Sequence, residues 1–239
     1  DDVSLAGGTA AFGSASVGSG KSVTLSGAVL EGLQASNYSL VSVQAANANI
    51  TPKPLSVAGL AVADKVYDGN DTATLSGTPS LQGGVVAGDD LSLSGTASGK
   101  FQGAGAGSGK PVSVSGLSLA GGAKDNYSLA VPALSASITR APLEVRVANQ
   151  SKTYDGLVFA GPHAVTYSGF VNAETESTLV GTLAFGPAAT AVNAGQHAIT
   201  PNGLTSQNYA INFVGGTLAT SVVLAIVLLA GSRPTDLLG

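Results

Sequence analysis

The stretch "KVYDGNDTATLSG" (65–77) decides how this chain is interpreted, because its Lys-x-Tyr-Asp-Gly core returns as "KTYDG" (152–156), 87 residues later. A second stretch, "NYSL" (37–40), recurs identically at 126–129, a separation of 89 residues. Self-similarity at a fixed period indicates a repeat protein. The sequence therefore predicts tandem modules of about 88 residues.

Short Ile-Thr…Pro-Leu segments separate the predicted modules. The predicted organisation is the C-terminal part of a repeat module (1–52), a complete module of the same type (53–140), a third and more distant module (141–220) and an apolar tail (221–239). Pro54 and Pro142 stand at the two junctions, where proline fixes its own φ and restricts the residue before it. We therefore expect stiff junctions and modules joined end to end as an extended rod.

Apolar residues alternate with polar ones through much of the chain, as at Leu143, Val145 and Val147. This period of two is typical of strands with one buried face. A helical pattern stands out at 171–180, where Asn172 is placed to cap a short helix that has acidic residues in its first turn. The fold class we predict is mostly β, with tandem small antiparallel β modules that are sandwich-like or β-grasp-like.

Composition excludes several classes of function. Charged residues make up only 10% of the chain and the net charge is −4, which argues against nucleic acid as a partner. Cysteine is absent, so disulfides and thiolate chemistry are excluded. Methionine is also absent, and we expect the chain to be a processed or excised piece of a longer protein. The longest apolar run, 222–230, is about half the length of a membrane-spanning helix, so we expect no membrane span.

The repeated Lys-x-Tyr-Asp-Gly has two interpretations. Asp-Gly is a strong turn signal, and a tyrosine beside it can pack its ring while its hydroxyl finds a partner. We favour this structural interpretation, because a repeat protein must repeat its fold determinants. The residues so assigned are Tyr67, Asp68, Gly69, Tyr154, Asp155 and Gly156, together with Pro54 and Pro142. A ligand-binding role for the two Tyr-Asp pairs is the alternative.

Other candidate sites have weaker support. Calcium has candidate ligands in Asp68, Asn70 and Asp71 or in the pair Asp89–Asp90, but hard cations want six to eight oxygens with several convergent carboxylates. The two histidines lack a partner motif for zinc or for a catalytic triad. The Gly-Lys stretches near Lys21 and Lys110 are followed by strand patterns, whereas a phosphate loop needs a helix there. We expect no catalytic residue, no metal and no cofactor, and we expect that the protein is not an enzyme.

Two groups of motifs resemble known families. Residues 65–77 with "DNYSLAVPALSASITRAPL" (125–143) resemble the YDG repeat, and "LEVRVANQSKTYDG" (143–156) with "NAGQHAITPNGLTSQNYAINFVGGTL" (193–218) resembles the MBG module. Both families form tandem arrays in large bacterial surface and secreted proteins, notably filamentous-haemagglutinin-like adhesins exported by two-partner secretion.

The resemblance implies a structural stalk segment of a secreted or surface-exposed adhesin that supports cell adhesion or biofilm contacts. It implies an extracellular or cell-surface location, with extracellular polysaccharide or a host or neighbouring cell surface bound through other parts of the full-length protein. The alternative is a carbohydrate-binding module that recognises extracellular glycans, motivated by the Tyr, Asn and Gln residues of the third module.

The tail differs from the junctions that precede it. "SVVLAIVLLA" (221–230) is uncharged and lacks proline, which is the composition of a segment that pairs with open sheet edges. We predict that residues 222–229 form a final strand against the third module or cause self-association, and that they do not span a bilayer.

Overall fold

The computed structural model describes residues 1–223, and these residues form β-strands and four 3-10 turns. The first module contributes β1 (Ser4–Phe12), β2 (Gly18–Glu31), η1 (Ala35–Asn37) and β3 (Ala46–Ile50). The second contributes β4 (Lys53–Ala58), β5 (Ala61–Val62), β6 (Lys65–Val66), β7 (Thr72–Ala73), β8 (Leu75–Ser76), β9 (Ser80–Gln82), β10 (Ser92–Phe101), β11 (Gly107–Ala120), η2 (Lys124–Asn126), β12 (Tyr127–Ala130) and β13 (Leu134–Thr139). The third contributes β14 (Ala141–Val147), β15 (Gln150–Thr153), β16 (Val165–Ser168), η3 (Glu176–Thr178), β17 (Val180–Phe185), η4 (Pro187–Thr190), β18 (Gly195–Ile199), β19 (Pro201–Thr205), β20 (Tyr209–Val214) and β21 (Gly216–Ser221). The predicted mostly β class is confirmed.

Two compact units make up the chain. Unit 1 contains Asp1–Ala63, Thr72–Gln102 and Pro111–Ala136. Within the described residues, unit 2 contains Asp64–Asp71, Gly103–Lys110 and residues 137–223. Unit 2 therefore combines the third module with three segments of the second module, residues 64–71, 103–110 and 137–140, and the first of these carries Lys-x-Tyr-Asp-Gly.

In unit 1 the first module is a three-stranded antiparallel sheet in the order β1-β2-β3. The second module repeats its long hairpin, because β10 pairs with β11 antiparallel just as β1 pairs with β2. Its N-terminal strand β4 lies between β12, which is parallel to it, and β9, which is antiparallel. This sheet is therefore mixed, whereas the sequence predicted antiparallel modules. The alternation of apolar and polar residues indicates which face of a strand is buried, but it does not indicate which strand lies beside it or in which direction that strand runs.

Unit 2 repeats this arrangement. Strand β14 lies between β20, which is parallel, and β16, which is antiparallel. A second sheet places β21 between β15 and β18, and β17 pairs with β19. The short strand β6 pairs in parallel with β13 at Ile138 and Thr139.

The predicted alternation accounts for the core of the third module. Leu143, Val145 and Val147 of β14 are buried, while the residues between them are partly or fully exposed. Val147 packs with Ile199 and Leu218, so strands distant in sequence close over one apolar face. Burial of each such side chain contributes about 1.5 to 3 kcal/mol.

The helix predicted at 171–180 is wrong in extent and in its cap. Only Glu176–Thr178 forms a 3-10 turn, and Thr175 occupies the N-cap position. Asn172 has φ +52, a left-handed conformation, whereas an N-cap residue is extended. The Asn-Ala pair makes a tight turn that ends at Glu174 instead.

Each junction between modules is short. Two residues separate β3 from β4, and Arg140 alone separates β13 from β14. Pro54 and Pro142 are the second residues of β4 and β14, and both are exposed.

The predicted tail falls almost wholly on residues 224–239, which lie outside the described residues. No helix within residues 1–223 has the length and apolarity needed to cross a membrane.

Candidate functional site

The first Lys-x-Tyr-Asp-Gly forms a turn built on its own side chains. Asp68 Oδ1 accepts hydrogen bonds from Lys65 Nζ at 2.7 Å and from the backbone N–H of Asn70 at 3.1 Å. Gly69 has φ +79, which an L side chain adopts only with strain. Burial opposes ionisation of Asp68, but these hydrogen bonds outweigh burial and hold its pKa below the usual value.

The second copy forms the same turn. Asp155 Oδ1 accepts hydrogen bonds from Lys152 Nζ at 2.7 Å and from the N–H of Leu157 at 2.9 Å, and Gly156 has φ +74. The hydrogen bond from Lys152 is the main reason that the pKa of Asp155 lies below its usual value. Lys, Asp and Gly therefore have identical local roles at both places.

The tyrosines of the two motifs have different environments. Tyr67 is 6% exposed, whereas Tyr154 is 47% exposed. Since the local turns match, the difference comes from what lies around each tyrosine. The buried Tyr67 therefore marks the candidate functional site.

Tyr67 is held by groups of unit 2 that are distant in sequence. Its hydroxyl donates to Glu174 Oε1 at 2.6 Å, and its backbone N–H donates to the carbonyl oxygen of Thr139 at 2.8 Å. Its ring meets the ring of Tyr209 edge-on, with centroids 5.5 Å apart. Tyr209 donates its own hydroxyl to the other oxygen, Glu174 Oε2, at 2.6 Å. One carboxylate therefore binds two phenols, and we call Tyr67, Glu174 and Tyr209 the tyrosine–carboxylate cluster.

A tight turn presents the carboxylate to the tyrosines. The N–H of Glu174 donates to the carbonyl oxygen of Val171 at 3.0 Å, and the N–H of Val171 donates to the Tyr209 hydroxyl at 3.1 Å. The hydrogen bond to Glu174 is the largest cause that raises the pKa of Tyr67 to about 12. Burial, and then Glu174, raises the pKa of Tyr209. Both phenols are therefore kept protonated as donors.

The same pair recurs in unit 1. Tyr127 donates its hydroxyl to Asp89 Oδ2 at 2.5 Å and accepts a hydrogen bond from the N–H of Val86 at 2.9 Å. The hydrogen bond to Asp89 raises the pKa of Tyr127. In the first module the hydroxyl of Tyr38 donates to Asp1. Each module thus pairs the tyrosine of its Asn-Tyr step with one carboxylate.

The asparagine of the Asn-Tyr step also has a repeated role. In unit 1, Asn126 Oδ1 accepts a hydrogen bond from the N–H of Val17 at 2.9 Å. In unit 2, Asn208 Oδ1 accepts one from the N–H of Ala106 at 3.0 Å. Val17 and Ala106 are equivalent positions, 89 residues apart, at the tips of the β1–β2 and β10–β11 hairpins. A module therefore holds the hairpin tip of the module that precedes it.

The remaining sequence candidates lie elsewhere. Nδ1 of His163 is 2.8 Å from Gln150 Oε1, and its ring lies 4.4 Å from that of Phe185. Nε2 of His197 is 2.7 Å from the carbonyl oxygen of Asn193. Asp90 Oδ2 accepts a hydrogen bond from the N–H of Gly122. Within residues 1–223, no three His, Asp or Glu side chains converge as a metal site.

Comparison with family models matches the YDG domain over residues 1–47 and 51–136, which together exceed half of the chain. The chain belongs to the YDG domain family. Residues 143–219 match the MBG domain of the YGX type, so an MBG module follows the YDG modules. Comparisons with curated proteins and with solved structures give no match.

Sequence reasoning identified Tyr67 and Asp68 of the YDG motif but missed Glu174, Asn126 and Asn208. A signal for them was present. Asn-Tyr occurs once in each module, and a valine three residues before an acid occurs at 86–89 and again at 171–174. These groups attach one module to the next, because the phenol hydroxyl of Tyr67 and the carboxamide oxygens of Asn126 and Asn208 form hydrogen bonds between consecutive modules.

Proposed function

We propose that this chain is a structural stalk segment of a secreted or surface-exposed bacterial adhesin, which holds a binding region away from the cell and supports adhesion or biofilm contacts. Membership of the YDG family and the MBG match support a surface-protein module of this type. The finer role, with export by two-partner secretion, is our inference.

The observation that carries the proposal is the repeated attachment of one module to the next. Asn126 and Asn208 each accept a hydrogen bond from the hairpin tip of the preceding module. In unit 2 the tyrosine–carboxylate cluster makes a further attachment, because Tyr67 of the YDG module donates to Glu174 of the module that follows. A stalk needs joints that repeat with the module, whereas a ligand site needs to occur only once.

The acidic groups are engaged in structure, which supports a role other than catalysis. Glu174 accepts from two phenols, and Asp68 and Asp155 each accept from a lysine and a backbone N–H. A general base needs an oxygen within reach of a substrate proton. The carboxylates of both YDG turns and of the cluster are instead used to hold the chain.

Small-angle X-ray scattering of the purified chain tests the stalk. A compact domain of 239 residues has a radius of gyration of about 18 Å. We expect a clearly larger value and a pair-distance distribution with a long tail. A radius near that of a compact domain contradicts the stalk.

Location is tested in the source bacterium. Antibodies against this chain should label intact cells or detect the protein in the culture medium. Labelling that requires lysis of the cells contradicts a surface or secreted role.

A glycan array separates the stalk from the carbohydrate-binding alternative. The stalk proposal expects that the chain alone binds no glycan class, since adhesion depends on other parts of the full-length protein. Saturable binding to one glycan class, lost on substitution of an exposed aromatic residue such as Tyr154→Ala, would favour the alternative.

A further inference from the structure

The first module exposes an apolar surface that its repeat buries. Phe12 is 40% exposed, whereas its equivalent Phe101, 89 residues later, is 3% exposed. Val112 and Val114 are buried in β11, while the equivalent Val23 and Leu25 of β2 are only half-buried. No residue of 1–52 belongs to the buried core. The sheet β1–β3 therefore carries the apolar side chains that are buried in the second module, but nothing within residues 1–223 buries them.

The same sheet has two free edges within residues 1–223. Its order is β1-β2-β3, so β1 and β3 each have one neighbour. In the second module the equivalent strands have further partners. Strand β7 pairs with β10 at Gly99 and Lys100, and β6 pairs with β13 at Ile138 and Thr139. Both added strands come from residues 65–73, the segment that contains Lys-x-Tyr-Asp-Gly.

A cavity lies beside the carboxylate of the second module. It has a volume of about 230 Å³, and residues of unit 1 line it, among them Val17, Ile50, Thr51, Asp89 and Tyr127. A cavity of about 150 Å³ accepts benzene, so this one accepts a phenol ring. It lies where free edge strand β3 ends at Ile50.

The cavity corresponds to the place that Tyr67 fills in unit 2. Asp89 and Tyr127 correspond to Glu174 and Tyr209, and Thr51 corresponds to Thr139, whose carbonyl oxygen accepts from the N–H of Tyr67. Glu174 uses both oxygens on tyrosines. In Asp89, Oδ2 accepts the hydrogen bond from the Tyr127 hydroxyl. Within residues 1–223, no second tyrosine hydroxyl donates to Asp89 Oδ1.

We propose that sheet β1–β3 and the cavity beside Asp89 bind the N-terminal half of a YDG module, a polypeptide equivalent to residues 53–88. Its Lys-x-Tyr strand adds in parallel to the edge of β3 at Ile50 and Thr51, which is recognition by strand addition. Its tyrosine enters the cavity and donates its hydroxyl to Asp89 Oδ1. This assignment stands whether or not the protein serves as an adhesin.

The test adds a copy of residues 53–88 ahead of Asp1 of the full chain, so that the binding segment is present at high effective concentration. The parent chain and two variants of the added copy, with its tyrosine replaced by Phe or by Ala, are the comparisons. Limited proteolysis followed by mass spectrometry measures the cleavage rate of the added segment. We expect the Phe variant to be cleaved about tenfold faster than the unsubstituted copy, since a hydrogen bond to a charged group is lost, and the Ala variant faster still.

Asp89→Asn in the receiving chain completes a double-mutant cycle. With Asp89→Asn present, replacing the added tyrosine by Phe should change the cleavage rate little. An equal effect of Phe in both backgrounds, or an added segment cleaved as fast as an unfolded peptide, overturns the proposal. The Phe variant alters only the added copy, so its result stands even if Asp89→Asn unfolds the second module.

Discussion

At the scale of the residue, identical motifs acquire different roles from their surroundings. Lys and Asp of the two YDG turns share the same local hydrogen bonds, because these bonds span at most five residues. Tyr67 differs from Tyr154 because its partner Glu174 lies 107 residues away. Local sequence chemistry therefore predicts the turn, whereas burial of its tyrosine depends on a long-range contact that a single motif does not encode.

Glu174→Gln should destabilise unit 2. The amide offers one oxygen to two phenols, so at least one charge-assisted hydrogen bond is lost, at a cost of about 1.5 to 3 kcal/mol in the free energy of unfolding. Urea unfolding followed by circular dichroism measures this change. Glu176→Gln, at an exposed position of η3, is the matched control and should cost much less. Equal losses from both substitutions contradict a special role for the cluster.

The raised pKa of Tyr67 predicts a loss of stability at high pH. Its pKa is about 12 in the folded chain, against 10.0 for an unperturbed tyrosine. A raised pKa means that the protonated phenol is the stabilising form, so its contribution is complete below pH 10 and is lost as the pH rises through 12.

The free energy of unfolding should therefore differ most between the parent chain and Tyr67→Phe below pH 10, and the difference should shrink toward pH 12. Urea unfolding of both proteins across this range measures it. A difference that stays constant with pH shows that the Tyr67 proton does not stabilise the fold.

At the scale of the element, the two YDG turns provide a matched pair for substitution. Gly69 and Gly156 both have positive φ, so alanine at either costs about 1 to 2 kcal/mol of backbone strain. A Cβ at Gly69 would stand 2.6 Å from Cβ of Asn172, whereas a Cβ at Gly156 meets nothing within 4 Å. Gly69→Ala should therefore cost about 1 to 3 kcal/mol more than Gly156→Ala, as measured by urea unfolding.

The extra cost has its own control. The double variant Gly69→Ala with Asn172→Gly removes the crowding. Its loss in the free energy of unfolding, measured relative to Asn172→Gly alone, should therefore be about as small as that of Gly156→Ala. The two single variants and the double variant form a double-mutant cycle. Additive effects contradict contact between the YDG turn and the turn at Asn172.

Strand pairing shows what sequence predicts at this scale and what it does not. The alternation of Leu143, Val145 and Val147 predicted the buried face of β14, because side chains of a strand point to alternate faces. It did not predict that β20 pairs with β14 in parallel, since that choice depends on the path of the 61 residues between the two strands. Asn172 was misassigned as a helix cap for a similar reason, because the turn it forms is stabilised through Val171 and Tyr209.

At the scale of the whole molecule, the repeat predicted that modules exist but not how they are attached. The period follows from aligned segments such as "NYSL". The attachments use backbone N–H groups at Val17 and Ala106, which every non-proline residue has, so the hairpin tips carry no distinctive sequence signal. The asparagine that accepts these bonds was visible only as part of a repeat.

Removal of residues 224–239 should leave the third module folded. Its strand β21 ends at Ser221, after pairing in parallel with β15 and antiparallel with β18, and the carbonyl oxygen of Ser221 accepts from the N–H of Tyr154 at 2.7 Å. These contacts complete the sheet within the described residues, and Val222 and Val223 beyond it are exposed. We therefore expect the chain truncated after Val223 to keep its circular dichroism spectrum and its unfolding midpoint.

Because the removed stretch is apolar, uncharged through residue 230 and of a composition that promotes strand association, sedimentation velocity should show less self-association of the truncated chain than of the parent chain. Loss of the folded spectrum on truncation would mean that the third module needs a strand beyond β21.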